Sequence, residues 1–190
     1  MHTRTPHGFT ILATLLVIFL GLFWLAGRAD GSTQTGLAAP PPADDQDQGG
    51  AAPIDAAAFA LPYPEYVITQ GLHGYSYGHM AIDLAAGKGA TIYSPIHGEV
   101  TQLYTDSYGN PTLVIENEIY QVTLLHGEYS VSPGSKVNLG DPIGIESNIG
   151  YTVDFNGRSC WGRDCGYHTH LNVFDKRLNQ NVDPLSLVGD

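Results

Sequence analysis

From Tyr167 to Phe174 the chain reads Tyr-His-Thr-His-Leu-Asn-Val-Phe, and this stretch constrains the fold more than any other. Side chains alternate on a strand, so His168 and His170 point to one face while Thr169, Leu171 and Val173 point to the other. A β-sheet presents two imidazoles to one site in this way. A His-x-His pair alone is a weak signal, because single histidines in strands are more often surface or hydrogen-bonded core residues than ligands. Partners exist elsewhere. His79 and Asp83 are four residues apart and can share a face, and His126 closes the apolar run Val122-Thr123-Leu124-Leu125.

Short β-rich runs surround these positions: Tyr66 to Gln70, Thr91 to Tyr93, Glu99 to Tyr104, Thr112 to Glu116, Tyr120 to Leu125, Lys136-Val137 and Ile143 to Ile145. Turn residues punctuate them, among them Gly87-Lys88-Gly89, Tyr108-Gly109-Asn110-Pro111 and Leu139-Gly140-Asp141-Pro142. Glu116-Asn117-Glu118 reads as a hairpin turn. The fold class predicted is all-β, an antiparallel β-sandwich or partly open barrel over residues 61–190.

The N-terminal third differs. Residues 9–26 contain no charge and are close to the length needed to cross a bilayer, so they are predicted to form a transmembrane signal anchor behind a cytoplasmic tail of residues 1–8. Cleavage near Leu25-Ala26-Gly27-Arg28-Ala29, followed by secretion, is the alternative. Residues 27–60 are rich in Ala, Pro, Gly and Asp without apolar periodicity and are expected to be a disordered linker. A formal net charge of -11 with eight Lys and Arg argues against nucleic acid as a partner. Cys160 and Cys165, the only cysteines, fit a disulfide in an exported domain better than a metal site.

Three protein ligands with an open fourth position are the pattern of a catalytic zinc site. His79, Asp83 and His170 supply such a set, two nitrogens and one oxygen that suit one Zn²⁺ per domain. His126 and His168 are then free for proton transfer and oxyanion stabilisation.

These residues, in this order, resemble the lysostaphin-type (LytM-like) zinc metallopeptidases, bacterial endopeptidases of peptidoglycan with a fold of the duplicated hybrid motif type. The family's His-x-x-x-Asp is matched by His79 and Asp83, its His-x-His by His168 and His170, and its separate catalytic histidine by His126. Gly89 to Pro95, Gly98-Glu99-Val100, Gly134 to Gly144 and Val182-Asp183-Pro184 resemble the framing turns, so the resemblance covers roughly Tyr66 to Leu187. It implies zinc on His79, Asp83 and His170, catalysis by His126 and His168, and peptidoglycan peptides as substrate. It also implies a bacterial cell membrane location, with the domain outside the cytoplasm. A non-catalytic LytM-like regulator of other wall hydrolases is the alternative. Departures from the family pattern are Ala81 for the usual glycine, Gly127 after His126, Tyr167 before the His-x-His, and a long segment from Tyr151 to Cys165 expected to border the groove.

Overall fold

A computed structural model describes residues 54–189, so the expected tail, membrane anchor and most of the linker lie outside the described residues. No helix among the described residues is long and apolar enough to cross a membrane. Eleven strands follow in order: β1 Val67–His73, β2 Ala81–Ala85, β3 Thr91–Tyr93, β4 Gly98–Thr105, β5 Pro111–Glu116, β6 Tyr120–Leu125, β7 Glu128–Tyr129, β8 Lys136–Val137, β9 Pro142–Ile145, β10 Thr169–Asp175 and β11 Gln180–Val182. The larger sheet runs β1-β2-β10-β6-β5-β4-β8, with β11 added to β10, and the smaller runs β3-β9-β7. Neighbours within each sheet pair antiparallel, in keeping with the all-β expectation.

Alternation builds the core. Ile82 and Leu84 of β2, Leu113 and Ile115 of β5, Val122 and Leu124 of β6, and Leu171 and Val173 of β10 recur at every second position and are buried together. Ile92 of β3 and Ile143 of β9 join the same cluster, so both sheets share one core. Each such side chain contributes about 1.5–3 kcal/mol on burial. Because β10 lies between β2 and β6, its opposite face, with His170 and Asn172, is buried too.

The β5–β6 hairpin turns at Asn117, whose side-chain oxygen accepts from the Ile119 and Tyr120 amides and whose amide donates to the Ala56 and His97 carbonyls. That replaces the missing glycine. Ala56 and Phe59 belong to the stretch expected to be linker, yet Phe59 packs on the core and the Ala60 amide donates to the Pro95 carbonyl. The Phe59 ring and these hydrogen bonds together hold residues of that stretch against the domain. β2, β7 and β11 went unread in the sequence. The first has small residues and a carboxylate, and its strand form depends on pairing with β1 and β10; the others are pairings of two and three residues, too short for a period.

Candidate metal centre and neighbouring histidines

The centre starts from strand register. His170 of β10 pairs directly with Asp83 of β2, so both side chains leave the same face of adjacent strands. His170 Nδ1 lies 3.1 Å from Asp83 Oδ1. His73, the last residue of β1, brings its Nε2 to 3.1 Å from the same His170 nitrogen and 3.4 Å from the same Asp83 oxygen. Three ligand atoms bound at 2.0–2.1 Å to a tetrahedral ion stand about 3.3 Å apart. This triangle therefore fits a zinc-sized ion, and its two imidazole nitrogens and one carboxylate oxygen suit Zn²⁺.

His79 meets the opposite edge of the His170 ring, with its Nδ1 3.0 Å from His170 Nε2. It does not ride on a strand. A short 3-10 turn, Tyr75–Tyr77, precedes it between Gly74 and Gly78, both left-handed at φ 90 and 82, and β2 begins only at Ala81. The loop is tied down from behind: the Met80 amide donates to Asn172 Oδ1, the Asn172 amide to Asn181 Oδ1, and the Asn181 amide to the Gly78 carbonyl. The Tyr77 ring packs edge-on against His79 at 5.2 Å.

His168 and His126 form the second half of the centre, with ring centroids 4.6 Å apart. His168 Nδ1 donates to the Gly166 carbonyl at 2.8 Å, and His126 Nδ1 donates to the Ile149 carbonyl at 3.0 Å. A carbonyl only accepts, so each ring carries a proton on Nδ1, and Nε2 is the nitrogen left for other partners. His168 Nε2 lies 3.6 Å from Asp83 Oδ2, which joins the pair to the triangle. His126 has φ 72, uncommon for a residue with a side chain. Its backbone is held there on both sides, the amide donating to the Pro111 carbonyl and the carbonyl accepting from the Ser147 hydroxyl.

Burial and mutual charge set the protonation states. Burial, aided by the neighbouring His170 and His73, lowers His79 to about 4. Burial and His168 lower His126 to about 4 against the weaker effect of the Ile149 carbonyl. Both rings are neutral at pH 7. Asp83 goes the other way: burial raises its carboxyl, but the hydrogen bond from His170 and the charges of His168, His170 and His73 outweigh it and hold the group ionised.

All five residues singled out in the sequence, His79, Asp83, His126, His168 and His170, thus meet at one place. His73, not among the residues singled out in the sequence, stands at the triangle as well. No local pattern marked it: His73 pairs with Ala81 while Gln70 pairs with Asp83, and register shifts along β1 decide that His73 reaches the carboxylate. The segment from Tyr151 to Cys165 borders the centre through Gly166, and a Cys160–Cys165 disulfide closes it with Cα atoms 5.5 Å apart. Lys88 pairs with Asp164 at the same end of the segment, at 2.7 Å.

Residues 77–184, more than half of the chain, match the sequence profile of Peptidase family M23. A zinc-containing peptidase from Vibrio cholerae is similar at 28% identity and a TM-score of 0.53, over 70% of this chain and 40% of that one. A putative peptidase M23 from Pseudomonas aeruginosa shares the fold at 20% identity and a TM-score of 0.51, over 72% of this chain and 52% of that one. The chain therefore spans about half or less of the length of these two proteins. No curated protein matches the sequence.

Proposed function

The chain belongs to peptidase family M23, and on that premise we propose that it is a zinc metalloendopeptidase that hydrolyses peptide bonds in peptidoglycan, held outside the cytoplasm by a membrane anchor at residues 9–26. The observation that carries the proposal is the pairing of a carboxylate–imidazole triangle with two histidines that are anchored by Nδ1 on backbone carbonyls and keep Nε2 for other partners. A ligand cluster alone suits a structural ion, but two further imidazoles beside it, His126 neutral at pH 7, suit proton transfer.

Asp83 and His170 would hold the ion together with another imidazole. Family membership supports His79, which lies inside the matched span; the triangle supports His73, which lies outside it. We take His79 as the third ligand and His73 as its competitor for that role. When bound, zinc polarises a scissile carbonyl and brings the pKa of water toward about 7. His126, neutral at pH 7, then takes up a proton at Nε2, and its Nδ1–H remains fixed on the Ile149 carbonyl so that the ring keeps its aim. His168 is fixed in the same way by Gly166 and presents Nε2 to the same space, able after protonation to donate to a developing oxyanion.

The decisive experiment is digestion of purified peptidoglycan by the full-length chain, counting new amino termini with and without a chelator. Chelator-sensitive release that disappears in His170→Ala supports the enzyme. No release from any cross-link type despite full zinc occupancy would favour the second reading, a LytM-like regulator of other wall hydrolases.

A further inference from the structure

We infer that the rim of this centre carries a stacking platform for pyranose rings, so that the chain grips the neutral glycan of its substrate as well as the peptide; this deepens, and rests on, the peptidoglycan reading. Beside His126 two turns cross. One is the β4–β5 turn with Tyr108 and Gly109, and the other starts from Ile149, whose carbonyl holds the His126 ring. Gly150 comes so close to the first turn that a Cβ there would stand 2.2 Å from Asn110 Oδ1. The Tyr151 amide donates to the same oxygen at 2.7 Å. The crossing sets the Tyr108 and Tyr151 rings 6.5 Å apart, and a Cβ on Gly109 would lie 3.9 Å from the Trp161 ring of the disulfide-closed loop. The β4–β5 turn and the segment from Ile149 to Cys165 thus gather three aromatic residues, Tyr108 and Tyr151 as a ring pair and Trp161 against the Gly109 backbone.

They meet in solvent, with Tyr108 71%, Tyr151 65% and Trp161 75% exposed. Large rings held open together in this way mark a binding surface. The backbone beneath them is fixed. Asp106 accepts from the Tyr108 amide, the Asn110 amide and the Asn110 side chain, and Asp154 accepts from the Asn156 and Arg158 amides and from Arg163. Those bonds turn the Asp106 and Asp154 carboxylates onto their own turns, so that the exposed aromatic faces are what the rim offers a ligand.

Such a surface selects a neutral ligand with an apolar face. An extended peptide wants a free strand edge for its backbone, but this rim is made of turns, and the Val153–Ser159 bridge pairs with itself. A pyranose needs no such edge. Its axial C–H groups lie against the negative face of an aromatic ring, while its equatorial hydroxyls stay in water. A polymer of such rings can take one aromatic per sugar.

The test uses chitin strands, neutral polymers of N-acetylglucosamine that carry no stem peptide for a peptidase to cut. The full-length chain is sedimented with these strands. Binding is expected, and Trp161→Ala and Tyr151→Ala should each weaken it by about tenfold, the loss of one ring stack. Tyr151→Phe should bind like the parent, because the face and not the hydroxyl makes the contact. Unchanged thermal unfolding and zinc content in each variant keep misfolding from imitating the result. No sedimentation with bare strands, alanine variants that bind like the parent, or displacement by free stem peptide would each overturn the platform, the last assigning the rim to peptide. Cleavage of intact peptidoglycan is scored separately, so a chain that binds glycan without cutting would remove the peptidase reading and leave this one standing.

Discussion

The hydroxyl of Tyr63 lies 2.5 Å from Thr169 Oγ1, both buried, on the core side of the strand whose other face carries His168 and His170. Burial pushes the Tyr63 phenol pKa upward, so it stays protonated. Tyr63 precedes the span matched by the family, yet it fixes the residue between the two histidines. Tyr63→Phe keeps the ring in the core and strands the Thr169 hydroxyl, and should lower stability by about 1 kcal/mol. It should also reduce kcat severalfold with zinc retained. Denaturant unfolding and turnover together check this; an unchanged kcat would make the contact purely structural.

Zinc stoichiometry separates the ligands. Asp83→Ala and His170→Ala should lose the metal, because both belong to either ligand set. His79→Ala should lose it as well, while His73→Ala should keep most of it. The reverse result for the last two variants would make His73 the third ligand.

His126→Ala and His168→Ala should keep zinc and fold, and lose turnover by on the order of 10²-fold or more. A variant that cleaves at the parental rate would assign its histidine to structure alone.

Acid should weaken the chelated protein in a window that His79 and His126 share. Their folded pKa values of about 4 lie below the ordinary 6.5, so between those values the unfolded chain binds the extra protons. Stability is complete above 6.5 and declines as the pH falls toward 4, the His126 share being at most about 3 kcal/mol. Urea unfolding across that range should show a shallower decline for His126→Gln than for the parent. Equal declines would place the acid sensitivity elsewhere.

Gly150→Ala tests the turn crossing. At φ 97 an added Cβ meets the Asn110 side chain, so the turns must part. A loss of about 1–3 kcal/mol and weaker glycan sedimentation are expected, and a fully stable variant would show that the approach is not tight.

Much of this protein is local and therefore legible along the chain. A period of two marked β10, β5 and β6, because burial on one face selects every second residue, and it placed His168 and His170 on a common face. The Cys160–Cys165 link, closing a six-residue loop, was legible for the same reason. Register was not. That Asp83 faces His170, that His73 returns to the same oxygen, and that His79 meets the far ring nitrogen depend on how β1, β2 and β10 align, and no single strand encodes its partner's offset. The tautomers of His126 and His168 depend likewise on the Ile149 and Gly166 carbonyls, the first of them delivered by a chain segment 23 residues away. Only tertiary packing decides such positions, because hydrogen bonds between distant segments form after both have been placed by the shared core.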